Sequence, residues 1–309
     1  MKILVMGAGG VGGYFGARLQ QAGNEVAFVA RGAHLEALKK NGLRLSSPLG
    51  DAQLEVQAIE DPAQVAAADV VLFAVKLWDT ESAAERLRPA VGPGTMVIPF
   101  QNGVESIGQL ARALGDKAVM GGAAYIAARI AEPGVIAQTG EFARLRFGAV
   151  RAEQRPAAQA FFAACQAAGI SAELADDIVR VLWEKFVLLV GISSATAAAR
   201  APLGVVRADP DLRWLLESAL RETWALALKR GIALPQDFVA KLLAQIEKLP
   251  ADMKASLALD LEAGGRLEAP WLCGAVARMS AEAGLEAPVN RAVYAALKPF
   301  VGGSARKAA

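Results

Sequence analysis

Short apolar runs alternate with segments of helical periodicity along the first half of the chain. The run Lys2–Met6 predicts a buried strand, and the residues after the glycine-rich turn that follows it have helical spacing. Further buried strands are predicted at Glu25–Val29, 70–75, 95–99 and 118–121. Strands that alternate with helices in this way indicate a parallel sheet covered by helices.

Three shorter apolar segments follow at 124–130, 134–139 and 143–149, with turn residues between them. We expect three short strands that give the same sheet a mixed edge. A helix near 154–168 and a short strand near 170–174 are predicted to complete this half of the chain.

From residue 176 onward the apolar positions keep a helical period. Loops with Gly and Pro separate the helical segments, which are predicted at 177–199, 209–231, 235–247, 251–262, 270–283 and 288–298. We therefore expect an α/β domain over 1–175 and an all-helical domain over 176–309. The Gly/Ala/Ser-rich end, from Val301, is expected to fray.

The turn after the first strand reads GAGGVG and includes Gly7, Gly9, Gly10 and Gly12. A strand, a glycine-rich turn and a helix in this order form the dinucleotide-binding fingerprint of Rossmann-type domains. The first glycine permits a tight turn, the second lets the backbone approach a pyrophosphate, and Gly12 lets helix and strand pack closely. The free N–H groups of the helix N-terminus would then bind the anion. The alternative is a tight turn that binds nothing.

The residue that follows the second strand selects the cofactor. NAD-binding domains place Asp or Glu there, whereas this chain has Arg31. A guanidinium can bind a 2′-phosphate through two hydrogen bonds, so we predict NADP(H). The alternative is that Arg31 is a solvated surface charge. His34 and Lys39 follow closely and would add positive potential.

Composition narrows the function classes. The 309 residues are 54% hydrophobic and 21% charged, with a net charge of +2, which predicts a large core and no nucleic-acid partner. The only histidine, His34, and two isolated cysteines exclude a His general acid and a Cys/His zinc site, so we expect no metal. Cys165 and Cys273 are expected to be free buried thiols. No apolar run is long enough to span a bilayer, and a cytoplasmic protein is predicted. The apolar helical half is compatible with a homodimer.

Four segments carry candidate chemistry. Lys76 and Asn102 each follow a predicted strand, at the sheet edge where α/β proteins bind ligands. Lys185 precedes an apolar run, and Glu268 ends the segment SLALDLEAGGRLE at 256–268. We expect these side chains to line a cleft between the two domains.

Taken together, GAGGVG, VKLWD at 75–79, QNGV at 101–104, WEK at 183–185 and the segment 256–268 resemble the ketopantoate reductases, the 2-dehydropantoate 2-reductases of pantothenate synthesis. The resemblance covers essentially the whole chain. It implies a Rossmann domain with a helical domain, NADPH as cofactor, and reduction of the 2-keto group of a 2-oxo acid.

The resemblance also implies roles for individual residues. Lys185 matches the catalytic lysine that protonates the nascent alkoxide, and Glu268 matches the acid that orients this lysine or holds the substrate hydroxyl. Asn102 matches a residue beside the nicotinamide ribose, Lys76 a lysine that contacts cofactor or substrate, and Ser256 a residue that binds the substrate carboxylate. Each residue has a structural alternative. The alternatives are that Lys185 is a surface lysine, Glu268 a loop charge, Asn102 a turn residue, Lys76 a strand-end charge and Ser256 a helix-surface hydroxyl.

Three substrate-contacting positions depart from the family pattern. Asn is usual at the positions of Leu189, Ser193 and Met253, and Pro at that of Ser194. Apolar side chains there favour a bulkier or more apolar 2-oxo acid than ketopantoate, as in a related D-2-hydroxyacid dehydrogenase.

The sequence is compatible with other functions. An imine or opine reductase would share this architecture, and a non-catalytic NADP(H) sensor would bind the cofactor without turnover. The spacing of Tyr294 and Lys298 matches the catalytic pair of short-chain dehydrogenases, but the glycine turn has a different pattern, so an exposed helix edge is expected.

Overall fold

The computed structural model describes residues 1–303, in two compact units that divide between Leu182 and Trp183. The strands of the first unit are β1 (Lys2–Met6), β2 (Glu25–Val29), β3 (Leu43–Ser46), β4 (Ala52–Leu54), β5 (Gln57–Ile59), β6 (Val70–Phe73), β7 (Met96–Pro99), β8 (Gly121–Glu132), β9 (Val135–Gly148) and β10 (Ser171–Leu174). Its helices are α1 (Gly10–Gln21), α2 (Gly32–Asn41), α3 (Thr80–Leu87), α4 (Ser106–Leu114) and α5 (Arg155–Ala167).

The first sheet is parallel, with strand order β5-β2-β1-β6-β7. Successive side chains of a strand point to opposite faces. Ile3 and Val5 therefore enter one core, and Leu4 and Met6 enter the other. Burial on both faces explains the continuous apolar runs, and it confirms the predicted Rossmann-like sheet.

The predicted mixed edge of this sheet is wrong. Residues 121–148 form two long antiparallel strands, β8 and β9, in a second five-stranded sheet with β3, β4 and β10. Gly140, read as a turn residue, lies inside β9, where the pairing register shifts between Ile126 and Ala127. A bulge absorbs the extra residues there without ending the strand. The strand predicted at 118–121 reduces to a single bridge between Val97 and Val119.

Three strands, β3, β4 and β5, were not predicted. β4 and β5 have only 3 residues each, which is too short to display an alternation, whereas the four residues of β3 do alternate between buried and exposed and were overlooked. The predicted helix and strand near 154–168 and 170–174 are confirmed as α5 and β10.

The remaining helices are α6 (Ile178–Ala199), α7 (Leu203–Ala208), α8 (Pro210–Lys229), α9 (Phe238–Ile246), α10 (Ser256–Glu262), α11 (Cys273–Glu282) and α12 (Pro288–Leu297). The division between the units falls inside α6. Each predicted helical segment contains a helix, but α10 begins at Ser256 and not at 251. α7 was not predicted, because Pro202 and Gly204 are typical of loops. No helix among residues 1–303 has the length and apolar character to cross a membrane.

The chain end is described up to Gly303. The predicted fraying from Val301 does not apply to its first residues, because the Leu267 N–H donates to the Val301 carbonyl and the Gly303 N–H to that of Phe300. The rest of the predicted frayed end, 304–309, lies outside the described residues.

Candidate active site

The glycine turn places an open surface at the N-terminus of α1. Gly7 has φ +101°, and a Cβ on Gly12 would lie 2.2 Å from the Gly7 carbonyl oxygen, so both positions require glycine. A Cβ on Gly10 would lie 2.2 Å from the carbonyl oxygen of Ala128 in β8. A Cβ on Gly9, in contrast, would meet nothing within 4 Å. This open face, next to the free N–H groups of the first helical turn, fits a pyrophosphate.

Arg31 lies between β2 and α2 and forms an ion pair. Its Nη2 donates to Asp79 Oδ2 at 2.6 Å, while 72% of the arginine side chain and 22% of the aspartate side chain remain exposed. The predicted cofactor selector is therefore accessible and is held by a carboxylate from the loop after β6. Asp79 lies within the motif VKLWD, which gave no sign of a contact with Arg31.

Gln101 connects the two loops that carry Lys76 and Asn102. Its buried Nε2 donates to the Val75 carbonyl and to Thr80 Oγ1, each at 2.9 Å, and Thr80 Oγ1 donates to the Leu77 carbonyl at 2.8 Å. These bonds fix the segment 75–80 against the end of β7. Gln101 begins the motif QNGV, two residues after β7 ends, but only Asn102 of this motif was predicted as a site residue.

The two predicted loop residues flank this network. Lys76 is exposed, with Nζ 5.5 Å from the centroid of the Trp78 ring. Asn102 is partly buried and precedes Gly103, whose φ of +84° makes the turn. Both lie in the first unit, after the carboxyl ends of β6 and β7.

His34 ties the glycine turn to the β8–β9 hairpin. The Gly134 N–H donates to Nδ1 at 3.0 Å, so the ring proton lies on Nε2, which donates to the Ala8 carbonyl at 2.9 Å. Partial burial lowers the pKa of His34 below its usual value. The expectation that His34 adds positive potential is therefore wrong, because the neutral ring is the form that makes both bonds.

In the second unit, Lys185 lies on α6 beside apolar neighbours and is partly buried. Burial lowers the pKa of its ammonium from 10.5 to about 8, and the charge of the Glu268 carboxylate opposes part of this shift. The helical unit therefore brings the two predicted catalytic residues into electrostatic contact.

Glu268 is 8% exposed and its backbone is held on both sides. The flanking Leu267 and Ala269 are fully buried, and the Glu268 carbonyl accepts from the Trp271 N–H at 3.0 Å. A carboxylate with this burial is stable only with a cationic or hydrogen-bonding partner, and Lys185 provides the positive charge.

The predicted substrate residues fall into two groups. Leu189 and Ser193 lie one and two turns after Lys185 on the same face of α6. Leu189 is partly buried, whereas Ser193 is fully buried and its hydroxyl has no hydrogen-bond partner among the described residues. Met253 is partly buried, with its carbonyl bonded to the Leu203 N–H at 2.8 Å, and Ser256 is exposed as the first residue of α10.

Other candidate groups lie apart from this chemistry. Cys165 and Cys273 are free and buried, as predicted, and burial raises the pKa of each thiol to about 12. Tyr294 lies on α12 with its ring against Gly274, where a Cβ would lie 3.0 Å from the ring. Within residues 1–303 there is no group of three or more His, Cys, Asp or Glu side chains that could hold a metal ion.

Comparison with known proteins covers both units. The family model for ketopantoate reductase PanE/ApbA matches residues 3–152, and the model for the C-terminal part of that family matches residues 177–300. The 2-dehydropantoate 2-reductase of Archaeoglobus fulgidus is 33% identical over 94% of this chain and 94% of its own length. The uncharacterized oxidoreductase YkpB of Bacillus subtilis is 30% identical over 97% of this chain and 99% of its own length.

Solved structures show the same relationship. The crystal structure of a PanE/ApbA family ketopantoate reductase from Ralstonia eutropha has a TM-score of 0.89 and 32% identity, and it covers 97% of this chain and 98% of its own. A D-mandelate dehydrogenase with NADH and anilino(oxo)acetate has a TM-score of 0.89 over 97% of this chain and 98% of its own, but at 18% identity it shares the fold alone. The resemblance seen in the motifs is confirmed: this chain belongs to the ketopantoate reductase family of NAD(P)-dependent oxidoreductases.

Proposed function

We propose that this protein reduces ketopantoate to pantoate with NADPH, with Lys185 as the general acid, and so serves pantothenate biosynthesis. Family membership supports reduction of a 2-oxo acid. The observation that carries the proposal is the pairing of Lys185 and Glu268 in an environment that lowers the pKa of the lysine to about 8.

Lys185 has the acidity that the reaction requires. An ammonium with a pKa of about 8 is mostly protonated at pH 7, yet it releases its proton more readily than an ordinary lysine. The nicotinamide, when bound, supplies the hydride for the keto carbon. The proton from Lys185 Nζ then goes to the carbonyl oxygen, which becomes the hydroxyl of the product. Proton transfer of this kind contributes roughly 10²–10⁴-fold to the rate.

Glu268 keeps the acid charged and in place. Burial alone would lower the pKa of Lys185 further, and the carboxylate counters this shift. Without Glu268 the lysine would lose its proton at a lower pH, and a smaller fraction of the protein would carry the protonated acid.

The first unit supplies the cofactor site. The N-terminus of α1 and the open face at Gly9 would hold the pyrophosphate, and Gly7, Gly10 and Gly12 allow the close packing that shapes this turn. Arg31 would bind the 2′-phosphate of NADP(H). Lys76 and Asn102, on the loops fixed by Gln101, would contact the nicotinamide half.

A second candidate keeps the chemistry and changes the substrate. Leu189 and Met253 offer partly buried apolar surface where the family resemblance leads us to expect Asn. Such a site favours a more apolar 2-oxo acid, which would make the protein a D-2-hydroxyacid dehydrogenase. Ser256 would bind the carboxylate in either case.

A substrate panel tests the proposal and separates the candidates. The purified protein is assayed with NADPH against ketopantoate, phenylglyoxylate and branched 2-oxo acids, and kcat/KM is compared. A clear preference for ketopantoate supports the first candidate, and a preference for phenylglyoxylate supports the second. Turnover only in the presence of an amine would instead indicate an imine or opine substrate and would overturn both.

A further inference from the structure

Asp79 is the residue that contacts the proposed cofactor selector. It ends the short 3₁₀ turn Leu77–Asp79 after β6, and its N–H donates to the Lys76 carbonyl at 2.9 Å. Thr80, the next residue, is buried and held by Gln101. The backbone that carries the carboxylate is therefore held beside a buried hydrogen-bond network.

The carboxylate of Asp79 is directed to Arg31 and not to its own helix. Asp79 occupies the N-cap of α3, yet its side chain makes no capping hydrogen bond there in the described structure. Instead Oδ2 accepts from Arg31 Nη2 at 2.6 Å. Aspartate at an N-cap commonly accepts from the backbone of its helix, so this orientation favours a role at Arg31.

We propose that Asp79 limits the selectivity of this protein for NADP(H) over NAD(H) by holding the Arg31 guanidinium. A 2′-phosphate must compete with the carboxylate for the donors of Arg31, and it must also approach a second negative charge. A ribose 2′-hydroxyl, which NAD(H) presents, meets no such opposition, because a carboxylate accepts a hydrogen bond from a hydroxyl. The inference rests on the role of Arg31 given under the proposed function.

The expected effect is modest, because the ion pair is exposed. Pairs of this kind contribute little to stability, so a bound phosphate can displace the carboxylate at small cost. Replacing Asp79 by Asn should tighten NADP⁺ binding about two- to fivefold, within the range that exposed ion pairs cover. It should not tighten NAD⁺ binding.

Calorimetric titration of the full-length protein with NADP⁺ and with NAD⁺ tests the proposal without turnover. The variants are Asp79→Asn, Arg31→Ala, and Glu81→Gln as the matched control. Glu81 is exposed in the first turn of α3, two residues from Asp79, so its replacement removes the same charge close by. Circular dichroism and thermal unfolding show whether each variant is folded.

The expected result is a higher NADP⁺/NAD⁺ affinity ratio in Asp79→Asn, an unchanged ratio in Glu81→Gln and a lower ratio in Arg31→Ala. An unchanged ratio in Asp79→Asn, or an equal rise in Glu81→Gln, would overturn the role of Asp79. If Arg31→Ala leaves the ratio unchanged, the cofactor assignment of the proposed function fails as well. The two failures are therefore distinguishable.

Discussion

The carboxylate of Glu268 raises the pKa of the Lys185 ammonium, while burial lowers it by more, to about 8. Both residues belong to the helical unit, one on α6 and the other just before the turn Ala269–Trp271. The balance between burial and charge leaves an acid that is still protonated at neutral pH and can give up its proton.

Replacement of Lys185 by Ala should lower kcat by about 100-fold or more, because the developing alkoxide loses its proton donor. NADPH affinity should change little, since the predicted cofactor residues lie in the first unit. Steady-state kinetics with cofactor binding measured separately checks both statements. Lys229→Ala, at the exposed end of α8, serves as the control and should behave as the unmodified protein. Undiminished turnover in Lys185→Ala would rule out the proposed general acid.

The rate of reduction should fall as pH rises through about 8, because the deprotonated lysine cannot donate. In Glu268→Gln the fall should begin at a lower pH, since the charge that raises the pKa of Lys185 is gone. A pH profile of kcat in the presence of saturating cofactor measures both midpoints. A midpoint that stays in place, or moves upward, in Glu268→Gln would contradict the assigned role of this carboxylate.

Substitution of His34 by Phe removes both bonds that connect the glycine turn to the hairpin, and we expect a loss of about 1–3 kcal/mol in the free energy of unfolding. Folding lowers the pKa of His34. As pH falls through the usual histidine range, the unfolded chain therefore binds more protons than the folded chain. The stabilisation by His34 should therefore be full at pH 8 and should shrink as pH falls below about 6.5. Denaturant titrations at several pH values check this.

His34→Gln is the companion variant for that experiment. Glutamine does not titrate. The difference in free energy of unfolding between this variant and the native protein should therefore become smaller at acid pH if His34 protonates there. A difference that is constant with pH would show that the ring does not protonate in this range.

Introduction of Asn at position 189 or 253 should raise kcat/KM for ketopantoate relative to apolar 2-oxo acids. An amide can pair with the hydroxyl of ketopantoate, and a site that hydrogen-bonds a hydroxyl discriminates against analogues that lack it. Leu189→Asn and Met253→Asn are compared with Leu189→Ala and Met253→Ala, which remove apolar surface without adding a donor. Equal effects of Asn and Ala would show that volume, not hydrogen bonding, governs the preference.

Local patterns were sufficient for much of the fold. The glycine turn after β1 was visible because its glycines and flanking apolar runs act over a few residues. The helices of the second half were visible because each repeats its apolar period over several turns. The second sheet was not recognised from local patterns, because β3 and β4 span only four and three residues and Gly140, at the bulge, was taken for a turn residue.

The amino-acid sequence by itself determined the Rossmann-like start and the helical second half, because these depend on residue type and short-range spacing. Lys185 and Glu268 were predicted as the catalytic residues from the resemblance of whole motifs to the ketopantoate reductases. Only the tertiary structure decided that Arg31 pairs with Asp79, 48 residues away, and that His34 bonds Gly134, 100 residues away. It also decided the acidity of Lys185, since a lysine acquires a lowered pKa only from the burial and charges that folding places around it.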